Sequence, residues 1–241
     1  MKKIWTIARR ELRAFFDSLM AYIMIIAFLG FSGFFTWLYG GDVFFVGQAS
    51  LQSFFSIAYW TLFFFIPALT MRLLAEENRS GTIELLLTKP VTHWQVVLGK
   101  FTATLVLIAI ALALTIPYYI TVASLGNIDH GAVISGYIGL LLMSATYISI
   151  GLFTSSLSNN QIVGFLMALF IGMFFHIIFD ILANNFTGYF GEVLNFLSIS
   201  THFESVSRGV IDSKDILYFL SIIFLGLVSS EAVLSKNSLP E

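Results

Sequence analysis

Six runs of roughly twenty mostly apolar residues, four of them without a charged side chain, restrict this chain more than any other feature. They span Leu19 to Tyr39, Leu51 to Met71, Phe101 to Ala123, Ala132 to Thr154, Gln161 to Ala183 and Ile216 to Leu234. At 1.5 Å rise per residue, each matches the length an α-helix needs to cross the hydrocarbon layer. The two-residue alternation of a membrane β-barrel is absent. The expected fold is therefore an all-α membrane protein with six transmembrane helices, forming a single transmembrane domain over residues 1–241. A charged content of 11% and a mean hydropathy of +0.90 fall outside the range of soluble domains. Cysteine is absent, which excludes disulfides and thiolate metal sites, and the four histidines stand in no metal-ligand spacing.

An even number of spans puts both termini on one side. Lys2, Lys3, Arg9, Arg10, Arg13, Arg72, Arg79, Lys89, Lys100 and Lys236 share that side, against Arg208 and Lys214 on the other. Ten against two is a strong positive-inside bias, so the termini of this multi-pass chain are expected in the cytoplasm; the expected location is a bacterial inner membrane.

Two segments between the spans have structure of their own. Before the first span, Trp5, Ala8, Leu12, Phe15, Phe16 and Leu19 recur at helical spacing opposite most of the basic residues, which predicts an amphipathic interfacial helix over residues 1–18. Asn184 to Asp215 carries Phe186, Tyr189, Phe190, Val193, Leu194, Phe196, Leu197 and Ile199, enough apolar surface for short re-entrant helices on the external side.

The third segment, between spans two and three (residues 72–100), is polar and equally organised. Thr92 with Gln95 three residues on forms a capping box, and Val91 with Val96 a hydrophobic staple, so a helix starts there. Just before it, Gly81 to Thr88 can form about two helical turns that Lys89 and Pro90 stop. Leucines 85–87 exposed at that corner should contact a protein or the membrane. Gly99-Lys100 is the chain's one Gly-Lys pair, yet Trp94 stands where a phosphate-binding loop needs glycine and Phe101 replaces the Ser or Thr that binds magnesium. The chain is thus not expected to be an ATPase or other enzyme.

The run Glu76-Glu77-Asn78-Arg79-Ser80-Gly81-Thr82-Ile83-Glu84-Leu85-Leu86-Leu87-Thr88, then Pro90-Val91, then Gly99-Lys100, resembles the coupling-helix segment of type 2 ATP-binding-cassette (ABC) exporter permeases. Ser200-Thr201-His202-Phe203-Glu204, Arg208-Gly209-Val210-Ile211-Asp212 and Asp215-Ile216-Leu217-Tyr218-Phe219 resemble their external segment. Within the family the chain looks most like the gliding-motility-associated and nitrous-oxide-reductase-maturation permeases. The resemblance implies a subunit that pairs with an identical or paralogous permease, each copy seated on a separate ATPase that binds ATP and magnesium, with no cofactor of its own. It implies ATPase coupling through Glu76, Glu77, Arg79, Gly81, Thr82, Glu84, Leu85, Leu86, Lys89 and Pro90, and outward movement of substrate. Membrane lipid and an extracytoplasmic accessory protein complete the partners it suggests, and nucleic acid is not among them. If the dimer follows the family, Phe55, Tyr59 and Phe63 are candidates to line the central path.

Ionisable groups at membrane depth offer a competing mechanism. His176 and Asp180 lie four apart and could pair on one helix face, either as part of an external gate with His202, Phe203 and Glu204, or as the proton relay of a stand-alone ion-coupled carrier. A non-transporting scaffold is the remaining alternative. Gly164, Ala168 and Gly172 in the fifth span predict a close helix contact.

Overall fold

A computed structural model describes residues 2–39, 47, 49–81 and 91–237, the last by its backbone alone. Thr82 to Lys89 and Pro90, the centre of the expected coupling segment, lie outside the described residues, so the placement of Thr82, Glu84, Leu85, Leu86, Lys89 and Pro90 is not described. Among the described residues the fold is all helical. In chain order the helices are α1 (Lys2–Asp17), α2 (Met20–Trp37), α3 (Gln52–Thr70), α4 (Ala75–Ser80), α5 (His93–Ala113), α6 (Ile116–Leu125), α7 (His130–Leu157), α8 (Gln161–Met173), a π-helical turn (Phe174–Ile178), α9 (Phe179–Asn185), α10 (Tyr189–Leu197), α11 (Ile199–Ser207) and α12 (Ser213–Asn237). Six stretches are long and apolar enough to cross a membrane, and each overlaps one of the six expected runs, although the second continues to Ser80 and the third, formed by α5 and α6 together, begins at His93.

The bundle is organised around α7, which packs against α3, α5, α8, α11 and α12. Its sequence explains this position. A Cβ on Gly136 would fall 2.4 Å from the Phe55 ring and one on Gly151 would fall 2.0 Å from Thr70 Oγ1, so backbone approaches that a side chain would block are open. Ser144 and Ser149 donate to the helix's own carbonyls, which satisfies their hydroxyls without a partner helix. In hydrocarbon such small residues allow the close van der Waals packing that substitutes for a hydrophobic driving force. α8 is more apolar and less enclosed than α7. Its expected small-residue face is nevertheless formed: Gly164, Ala168 and Gly172 are its buried residues, with Gly172 against Phe63 and Tyr147.

The capping box of Thr92 and Gln95 is present in both directions. Val91 and Val96 cluster as expected, and Ile7 of α1 joins them. α4, a helix the sequence reading did not include, ends at Ser80, where Gly81 takes a left-handed φ of 66°, the conformation in which glycine terminates a helix; the turns expected from Gly81 to Thr88 lie outside the described residues. A helix forms where the sequence predicts one over residues 1–18, as α1, and its Ile7, Ala8 and Phe15 face is buried, chiefly against α5. Gly99 makes this approach possible, since a Cβ there would lie 2.6 Å from Ile7 Cγ2 and 3.3 Å from the Ile4 carbonyl.

Candidate functional site

At the end of the bundle that carries both termini, α3 turns into α4 through residues 71–74. Leu73, Leu74 and Ala75 are buried, which holds the corner inside the bundle. Ser155, near the end of α7, fixes it: its Oγ accepts from the Leu74 and Ala75 amides at 3.0 Å each and donates to the Met71 carbonyl at 3.0 Å. Asn78 Nδ2 donates to the Ser156 carbonyl at 3.2 Å, and Gln161 at the start of α8 hydrogen-bonds Glu76. Amides freed at the turn are therefore satisfied by a neighbouring helix.

Below this corner four charges from three helices converge. Lys100 of α5 has only 1% of its side chain exposed, and its Nζ lies 2.9 Å from Glu77 Oε1 on α4 and 3.4 Å from Glu11 Oε1 on α1. Arg10 of α1 pairs with Glu11 and reaches Glu77 at 3.4 Å. Two cations and two carboxylates cancel, which is the condition for burying any of them. Burial by itself raises the Glu11 carboxyl, but Lys100 and Arg10 outweigh it and hold the group below its ordinary range. The Arg10 guanidinium, opposed by desolvation, is raised by Glu11 and Glu77. An open cavity of about 530 Å³ adjoins the cluster, lined by Glu11, Arg72, Glu76, Glu77 and Lys100 among others. Of the residues expected to couple, Glu77 is thus braced, Glu76 is tied to Gln161, and Arg79 and Gly81 are exposed.

Lys100 appeared in the sequence motif only as half of a Gly-Lys pair, and Arg10 and Glu11 in no motif at all. The signal for Glu11 was present nonetheless. At about 100° per residue it falls among Ile4, Ile7 and Phe15, a carboxylate on the apolar face of its helix, and such a group needs a buried cation.

At the other end, His176 is buried and does not pair with Asp180. The reason is the π-helical turn: the Phe179 amide bonds the Phe174 carbonyl five residues back, so residues four apart no longer share a face. His176 Nδ1 instead lies 2.6 Å from Tyr147 Oη. Its ring is inserted between Tyr59 (centroids 4.0 Å apart) and Phe63 (4.4 Å), and Phe203 of α11 stacks on the outer side of Tyr59 at 4.8 Å. Four rings in the order Phe63, His176, Tyr59, Phe203 therefore tie α3, the π turn and α11 together. Asp180 borders a separate open pocket of about 340 Å³ with Glu204 and Arg208, which pair at 2.9 Å.

His202 is buried on α11, with Nδ1 2.6 Å from Asp215 Oδ1 and Nε2 2.8 Å from the Phe196 carbonyl. A carbonyl oxygen only accepts, so Nε2 is the donor to Phe196. Tyr218 stacks on this ring at 3.9 Å and donates to the Leu197 carbonyl, closing α10, α11 and α12 into one unit. The external-gate candidates thus fall into three settings: His176 and Phe203 in the ring stack, His202 in the α11–α12 pair, and Asp180 and Glu204 at the open pocket. Phe55, Tyr59 and Phe63 are each buried inside the chain, whereas Trp60 and Phe64 of the same span are about half exposed.

No curated protein matches the chain. The family model described as ABC-2 family transporter protein matches residues 5–228, so the chain belongs to this family of transmembrane permease subunits of ABC transporters.

Proposed function

We propose that the chain works as one half of a permease dimer, and that residues 76–90 dock on a separate cytoplasmic ATPase whose nucleotide cycle moves substrate outward. The observation that carries this reading is the four-charge cluster. A short helix that only connected two spans would need no such anchorage, whereas a segment that receives force must pass it on. α4 is joined to α7 through Ser155, to α8 through Gln161, and to α1 and α5 through Lys100, Glu11 and Arg10, so displacement of its far end reaches four other helices. A ligand shifts a two-state protein only through differential contacts with the two states, and the exposed end of this segment is where an ATPase would make them. The outward direction and the likeness to the gliding-motility-associated and nitrous-oxide-reductase-maturation permeases rest on sequence resemblance.

Purification of the tagged chain from its native membrane in mild detergent, followed by mass spectrometry, tests the reading. Wild type is expected to bring down an ATPase with a phosphate-binding loop. Leu86→Arg and Glu84→Lys are expected to insert normally and to lose it. Retention of the ATPase by both variants would show that this segment is not the dock.

A further inference from the structure

The outer surface of α1 has an order that neither its burial nor its ion cluster accounts for. On a helical wheel of about 100° per residue, Ile4, Ile7, Ala8, Glu11 and Phe15 form the face turned to α5. Leu12, Trp5 and Phe16 occupy the next arc, and Arg9, Lys2 and Arg13 the one after it, within about 40° of one another. Trp5 is 60% exposed, while Leu12 and Phe16 lean on the core. Lys2, Arg9 and Arg13 are all exposed, and none of their side chains makes a hydrogen bond or ion pair with the described residues. Arg10 is committed to Glu11 and Glu77 and is not part of the stripe. An open groove of about 840 Å³ runs along this side, bordered by Lys2, Trp5, Arg9, Arg13 and Val91 among others.

We propose that Lys2, Arg9 and Arg13 form a binding site for the phosphates of anionic membrane lipids, with Trp5 seated beside them at the level of the headgroups. The order of arcs carries the assignment. An unpaired basic stripe that merely faced water could lie anywhere on the exposed surface, but here it borders the apolar flank directly. Long cationic side chains in that position extend along apolar surface and place their charges at the lipid phosphates. The spacing of two, nine and thirteen along the helix spreads the charges over about 16 Å, at 1.5 Å per residue, which suits several headgroups and not one small anion. Trp favours the same interfacial depth. Binding of this kind does not require the coupling reading to be right, because the readout below involves no ATPase.

The test uses the full-length chain in nanodiscs made from phosphatidylcholine with phosphatidylglycerol as the minor component, released into native mass spectrometry to read the lipid retained. Wild type is expected to retain phosphatidylglycerol over phosphatidylcholine. A Lys2→Gln, Arg9→Gln, Arg13→Gln variant is expected to lose that preference by roughly a hundredfold, from a contribution of about 1 kcal/mol per basic residue near an anionic surface. Arg9→Lys with Arg13→Lys should keep it, and added salt should weaken it as the screening length falls below about 10 Å. A glutamine variant that retains the lipid as wild type does would overturn the proposal. Displacement by equimolar inorganic phosphate would overturn it too, by showing that a free anion is the ligand.

Discussion

At the scale of single residues, Lys100 decides the most. It is almost fully enclosed and has two carboxylates for company, so removing its charge leaves Glu77 and Glu11 facing each other with only the half-exposed Arg10 between them. Breaking a buried pair from one side costs far more than replacing both partners. Lys100→Met is therefore expected to destabilise the chain by about 3 kcal/mol, and Glu77→Gln in addition to restore much of it, as read by thermal unfolding of the detergent-solubilised protein in a double-mutant cycle. Glu11 adds a pH dependence of known sign. Its folded carboxyl is held low, so it stabilises the docked α1 above the ordinary glutamate range, and that contribution is lost as pH falls through about 4 and below. Hydrogen exchange in α1 should rise over that interval in wild type and show a smaller change in Glu11→Gln. Neither residue stood out by motif. Glu11 was legible only as a charge on the wrong face of its helix, and Lys100 not at all, because a lysine at the start of an apolar span reads as an ordinary positive-inside residue.

At the scale of elements, the sequence carried the helices and their caps but not their partners. Thr92 and Gln95 specify a start that depends only on residues three apart, and they form it. The π turn at Phe174–Ile178 had no such local signature, and it is what separated His176 from Asp180. The two therefore do not form the pair on which a stand-alone carrier would have relied. α1 shows the same limit: its apolar spacing predicted a helix, while its seat on α5 is set by Gly99, a residue in another segment. Gly99→Leu is expected to lift α1 from α5, costing about 1 to 3 kcal/mol by overpacking and raising protease sensitivity in residues 2–17. Ile7→Ala in the same chain should recover part of the loss, since Ile7 is the side chain the new Cβ would strike.

At the scale of the whole molecule, six apolar runs were enough to predict the number and order of spans. Which of them stands at the centre was harder to read. Hydropathy does not single it out, since the enclosed α7 is no more apolar than the largely lipid-exposed α2 and less apolar than the third, fifth and sixth spans. The usable signal was the spread of Gly136, Gly139, Ser144, Ser149 and Gly151 through one span. With α7 as the fixed member, the two ends of the molecule become linked. α3 carries Tyr59 and Phe63 of the ring stack around its middle, with Phe203 of α11 beyond them, and leads into the α4 corner, and α7 carries both Tyr147 beside His176 and Ser155 under the corner. A continuous packed route therefore runs from the α4 corner to α11.

The central claim is that the segment after α4 engages an ATPase. Since the chain contains no cysteine, Glu84→Cys introduces a single reactive thiol without further changes. Photo-crosslinking from that thiol in native membranes, with and without ATP, is the most direct measurement. A crosslink to a protein with a phosphate-binding loop, changing in yield with nucleotide, is the predicted result. Crosslinks confined to lipid or to other copies of this chain, in a variant that inserts normally, would contradict the account.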